Sequence, residues 1–253
     1  MINLRYFYQW ATPKNFYQLS DKLLPYFKFL TICFFSIGLM SGLFLAPADY
    51  QQGDAFRIIY IHVPCAIASL AIYVFMTICA AIGTIWRLKL YHMLTRSAAP
   101  IGTLLTGLAL FSGSLWGKPM WGTWWIWDAR LTSEFILLFL YIGYIALQKA
   151  IQNPQTAARS GAFMLFIGLI DIPIIHFSVN WWFTLHQGAT LRLIGASTIA
   201  PTMRYPLFIM MVAFAFYFIT QLLLKTKNEI LLWESKQSWV RYQAAIAAPS
   251  GKR

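Results

Sequence analysis

The 253-residue chain is 59% hydrophobic and 17% aromatic, with only 11% of its residues charged, against roughly a quarter in a soluble domain. That excludes an ordinary soluble globule and points to an all-α fold, a polytopic integral membrane protein. The net charge of +12 would suggest nucleic acid in a soluble chain. Here the basic residues fall between apolar runs, so the charge is read as topology and no nucleic-acid partner is expected.

Six runs approach the roughly 20 residues that span a bilayer: 27–46, 58–86, 98–116, 134–148, 161–179 and 206–224. The segment before them, 1–28, is aromatic and basic without a continuous apolar core, so no cleavable signal peptide is read there. The fourth run is short and is expected to begin earlier, near Leu131. Residues 225–253 are read as a tail in which Leu, Trp and charge alternate. No repeat divides the chain, so 1–253 is one membrane domain.

Lysine and arginine mark the cytoplasmic side. They crowd the N-terminus (Arg5, Lys14, Lys22, Lys28), the second connection (Arg87, Lys89, Arg96), the fourth (Lys149, Arg159) and the tail (Lys225, Lys227, Lys236, Arg241, Lys252, Arg253). The other three connections hold only Arg57, Lys118, Arg130, Arg192 and Arg204. Both termini are therefore expected in the cytoplasm, which places three connections on the outer face.

The third connection, 116–132, reads WGKPMWGTWWIWDARLT. Trp116, Trp121, Trp124, Trp125 and Trp127 exceed what interfacial anchoring requires, and an aromatic surface of this kind suits a large, planar, apolar ligand. The first connection ends on His62 and the fifth carries His186 beyond Trp181 and Trp182. Two imidazoles thus reach one face beside the tryptophans, and two imidazoles fill both axial positions of a haem iron. Arg130 suits a bidentate grip on a carboxylate such as a haem propionate, and with Asp128 also reads as an interfacial pair capping the fourth span.

Other candidates have plainer readings. His92 lies among basic residues and reads as solvated; His176 follows Asp171 and Pro173 in the fifth span and reads as a paired contact or a proton or ligand site. Cys33, Cys65 and Cys79 show no CxxC or CxxCH spacing, so they read as small buried hydrophobes. Neither a GxSxG element nor a Walker loop occurs, so hydrolase and ATPase chemistry is not expected.

The run WGTWWIWDARLT closely resembles the WWD signature, WGxxWxWDxRLT, of haem-handling membrane proteins. The flanks IYIHVP around His62 and SVNWWFTLHQG around His186 resemble one branch of that family, protein C of the cytochrome c maturation system (CcmC). Phe183 departs from the branch, where a polar residue, often Asn, is expected. The resemblance implies a haem-binding and haem-transfer protein rather than an enzyme, in a bacterial inner membrane. It would hold haem b (iron protoporphyrin IX) transiently at the periplasmic face and load a membrane-anchored haem chaperone. It also implies His62 and His186 as axial ligands, the five tryptophans as the haem platform, and Asp128 and Arg130 in the same motif. Expected partners are an ABC-transporter pair and a small single-span protein. The competing readings are a b-type electron-transfer subunit, a haem lyase acting on apocytochrome, and a scaffold that binds no pigment.

Overall fold

A computed structural model describes residues 12–186 and 199–247, and among them every long element is helical. Six are long and apolar enough to cross a membrane, which makes this a multi-pass α-helical membrane protein. The first is α1 (Pro13–Leu39), continued by a π-helical turn over Met40–Leu45. Thr12 caps its start by accepting from the Asn15 N–H, with Pro13 in the first turn, where a missing N–H costs nothing. A 3₁₀ turn (Asp54–Ile58) leads into α2 (Ile59–Ile85), and α3 (Lys89–Trp121) and α4 (Ala129–Ala150) follow.

The fifth span is broken. It consists of α5 (Pro154–Gly168) and α6 (Asp171–Trp181), separated at Leu169–Ile170. Pro173 has no N–H to return to the Leu169 carbonyl, so the α-ladder stops and tighter bonds take over. Ile170 N–H donates to Ile167 O at 3.2 Å and Ile172 N–H to Leu169 O at 3.3 Å. The sixth span, α7 (Pro201–Trp233), continues as helix past Lys225 before α8 (Ser238–Ala247). Trp239 of α8 packs edge-on against Tyr17 of α1 at 5.6 Å.

The helices α2 and α3 form the central pair; α7 packs on both and carries α1 outside it. On the other side α4 packs on α3, α5 fits between α2 and α4, and α6 leans on α4. Bilayer lipid gives apolar faces no reason to seek each other, so close approach of backbones and internal hydrogen bonds hold such bundles. Gly102 of α3 admits the Tyr141 ring of α4, and Gly168 admits the Tyr73 hydroxyl; a Cβ at either site would overlap the ring or its oxygen. Some hydroxyls on the spans bond within their own helix, as Thr103 to Ala99 O at 2.9 Å and Thr106 to Gly102 O at 2.8 Å, and others bond between helices, as Tyr141 to Ser69 O at 2.7 Å.

The sequence spans are found, with longer boundaries. Lys89–Trp121 extends well beyond 98–116 because Tyr91, Met93 and Leu94 pack inward along the same helix. His92 is half-buried, its ring so tight on Gly83 that a Cβ there would sit 2.8 Å from Cε1. It is not the solvated residue expected, because α2 and α3 converge at their turn. Arg5, Arg192, Lys252 and Arg253 lie outside the described residues.

Candidate functional site

At the end of the bundle where α3 finishes, a cavity of about 310 Å³ opens between α2, α3, α4 and α6. It falls at the small end of the range for ligand pockets. Apolar side chains of α2 and α3 (Val63, Ala66, Ile67, Leu70, Leu110) make its walls. From His62 to Leu70 the wall runs about 12 Å along the helix axis. His62, His186, Trp116, Trp121, Trp125 and Arg130 all line it, joined by Glu134, His176 and Asn180.

His62 is fixed by α3. Its Nδ1 lies 3.0 Å from Ala109 O and 3.2 Å from Ser112 Oγ. A carbonyl only accepts, and the Ser112 hydroxyl hydrogen is already given to Leu108 O at 2.6 Å. Nδ1 therefore carries the proton and Nε2 keeps the lone pair, the form in which imidazole ligates a metal.

The His62 and His186 ring centres stand 6.3 Å apart, with their planes inclined at 39°. Metal–nitrogen bonds of about 2.0 Å, with each ring nitrogen about 1.1 Å from its centre, would separate two imidazoles across one metal by about 6 Å. Among the described residues no group of three or more His, Cys, Asp or Glu could hold a metal ion. The observed ring spacing is close to that separation across one metal.

Asp128 acts by holding other residues. One carboxylate oxygen accepts from the Leu131 N–H at 2.8 Å and caps α4. The other accepts from the Thr184 hydroxyl, and Thr184 Oγ1 in turn accepts from the His186 N–H at 3.1 Å. One aspartate thus starts a helix and ties down the segment that carries His186. No ion pair joins it to Arg130 among the described residues. Instead Arg130 Nη1 donates to Ile175 O of α6 at 2.7 Å.

The five tryptophans separate into two groups. Trp116 lies edge-on to His62 at 5.7 Å and donates from Nε1 to Gln52 Oε1 at 2.9 Å, anchored by the first connection. Trp121 faces His186 at 6.3 Å. Trp125 lines the cavity with its indole N–H buried and without an acceptor. Trp124 and Trp127 lie outside the lining. Trp124 is exposed under Lys118, whose Nζ is 5.9 Å from the ring, and Trp127 is 72% exposed beside Trp125 and Phe135. Phe183 is 92% exposed and likewise stands outside the lining.

Three residues emerge only in space. Glu134 is buried, accepts from Ser69 Oγ at 2.9 Å and forms part of the cavity floor. Its signal in sequence was an acid inside an apolar run, which is costly and seldom idle. Gln52 and Thr184 carry no such signal. His176 turns toward the cavity and packs on Phe177 at 4.7 Å; no bond links it to Asp171 among the described residues. The pairing across Pro173 is not formed, and Asp171 Oδ2 is buried without a donor.

The family model described as Heme exporter protein C matches residues 6–241. A Heme exporter protein C of Escherichia coli K12 is 45% identical over 233 residues, covering 92% of this chain and 94% of that protein. One from Haemophilus influenzae is 43% identical over 237 residues, 94% and 96% of the two chains. A third, from Bradyrhizobium diazoefficiens, is 46% identical over 222 residues, 87% and 84%. With both the match and the identity running over nearly its whole length, the chain belongs to the Heme exporter protein C family.

Proposed function

We propose that this protein takes part in haem export for cytochrome c maturation: it holds haem at the outer face of the inner membrane and hands it to a membrane-anchored haem chaperone. The observation that carries the reading is the 6.3 Å spacing of His62 and His186 across a tryptophan-lined cavity. The names of its relatives, Heme exporter protein C, agree with it. An ABC-transporter pair and a small single-span protein complete the proposed assembly.

Haem, the cargo, brings an iron with two open axial positions and two propionates. His62 offers Nε2 from a rigid helix, with Nδ1–H held by Ala109 O. His186 offers its ring from a loop that is tied to Asp128 through Thr184. Arg130 lines the same cavity and suits a propionate. The apolar walls contribute roughly 25 cal/mol for each Å² of porphyrin face they cover. His186 is the ligand that lets go first, because a loop can move where α2 cannot. Chaperone binding at the exposed rim of Trp124 and Trp127 would favour the released state.

An absorption spectrum of the purified protein tests this, with wild type beside His62→Ala and His186→Ala and each then mixed with apo-chaperone. A bis-histidine spectrum disturbed by either substitution, with haem passing to the chaperone, is expected. Haem that stays bound and merely cycles with potential would favour an electron-transfer subunit. Unchanged spectra and loading in both variants would remove the ligand assignment.

A further inference from the structure

The floor of the tryptophan-lined cavity is an acid. Glu134 of α4 is buried there, and a buried carboxylate is costly unless a partner answers it. Its Oε1 lies 2.9 Å from Ser69 Oγ of α2, a hydroxyl that also lies 2.7 Å from Ala66 O. Ser69 has one hydrogen to give and lone pairs to accept with. It can donate to Oε1 whether or not the other carboxyl oxygen carries a proton. If Oε1 itself is protonated, the bond reverses and the Ser69 hydrogen goes to Ala66 O. Nothing at Oε1 therefore forces Glu134 to ionise.

The second oxygen is the one that meets the cavity. Glu134 Oε2 has no hydrogen bond among the described residues, and it is not sealed as Asp171 Oδ2 is. Arg130 stands one turn earlier on the same face of α4 and lines the same cavity. One of its five N–H donors goes to Ile175 O at 2.7 Å, which leaves others for a ligand. The other titratable groups around Glu134 are Tyr141 on its own helix, His62 on α2, His186 in the loop, and Asp171 and His176 on α6; α3 adds none to the lining.

Depth relates this floor to the histidines. Ser69 follows His62 by two turns of α2, about 10 Å along the axis. A flat molecule held between His62 and His186 turns one edge to the mouth and the opposite edge to Glu134. The charged groups on the rim of haem b are its two propionates, which share one edge. A propionate against an ionised Glu134 would be repelled, whereas a proton held between two carboxyls makes a short, charge-assisted bond.

We propose that Glu134 binds the cargo: as a carboxylic acid it donates from Oε2 to a haem propionate, beside the Arg130 guanidinium, and so turns the propionate edge to the floor. This rests on the haem-holding function proposed above and deepens it, because it assigns the edge left at the mouth for the chaperone.

The test titrates the full-length protein in detergent with ferric haem b and with its dimethyl ester, which keeps the iron and ring but lacks the anions. Wild type should prefer the acid by about tenfold or more. Glu134→Leu should cut that preference about tenfold while the bis-histidine spectrum stays intact. It strands no donor, since Ser69 still bonds Ala66 O. Glu134→Gln retains an N–H donor and should keep most of the preference. With rising pH the wild-type preference should fall, as the ionised Glu134 repels the propionate, and that of Glu134→Gln should stay level. Protonation of His62 or His186 at low pH weakens both cargoes alike and cancels in the ratio. Equal preference in wild type and Glu134→Leu would overturn the proposal. So would Glu134→Gln as poor as Glu134→Leu, or one pH dependence shared by wild type and Glu134→Gln. A wild type that binds acid and ester equally would overturn the assignment of edges alone; one that binds neither would overturn the haem-holding function with it.

Discussion

Asp128 serves two structures at once, so its substitutions should separate two effects. Asp128→Ala removes the α4 cap, at about 1 kcal/mol, and releases Thr184 as well. Thr184→Val keeps the cap and cuts only the link to His186. Thermal unfolding should move for the aspartate variant and hardly at all for the threonine variant, while both broaden or shift the bis-histidine spectrum. If Thr184→Val leaves the spectrum untouched, the link does not hold His186 for ligation. The tryptophans divide in the same manner. Trp121→Phe changes a ring facing His186 and should perturb the haem spectrum. Trp127→Phe alters an exposed ring and should leave the spectrum alone but slow loading of the chaperone. Measured spectra and transfer rates, side by side, would expose a reversal.

Among the elements, the broken fifth span matters most to the site. Its second half, α6, supplies His176 and Asn180 to the lining and the Ile175 carbonyl that Arg130 grips. Pro173 imposes the break by withholding one N–H. Pro173→Ala restores that donor and lets α5 and α6 join, which rotates the following turn and draws the Ile175 carbonyl away from Arg130. The expected result is a weakened hold on haem by roughly tenfold, about the loss of one charged hydrogen bond, seen in a haem titration with His62 and His186 intact. An unchanged titration would mean that the break does not position Arg130. The close contacts elsewhere are simpler. Gly102→Val places a side chain into the Tyr141 ring and should cost about 1–3 kcal/mol by overpacking, read as a lower unfolding temperature in detergent.

For the molecule as a whole, orientation decides which side of the membrane the haem cavity faces. From the distribution of basic residues we propose that both termini lie in the cytoplasm and the tryptophan end outside. A fluorescent protein fused after residue 247 should then glow, and alkaline phosphatase inserted at Gly122, in the turn after α3, should be active. The reverse pattern would invert the assignment and move the haem cavity to the cytoplasm.

Composition and the spacing of apolar runs were enough for the six spans, because a bilayer demands about 20 apolar residues whatever their neighbours. The WWD run and its two histidine flanks were enough for the family, because those residues are contiguous in the chain. Boundaries were less legible: the first apolar residue of a run need not be the first helical one, as α3 beginning at Lys89 shows. What only the tertiary structure decided is which side chains meet. The Nδ1 bond that sets the His62 tautomer comes from a carbonyl 47 residues away, and every backbone has carbonyls, so no residue type announces it. The Asp128–Thr184–His186 link, the Gln52 anchor of Trp116 and the division of the tryptophans into lining and rim depend on distances between elements far apart in sequence. Hydropathy is a property of each residue and survives in one dimension; contact is a property of pairs, and the fold alone chooses the pairs.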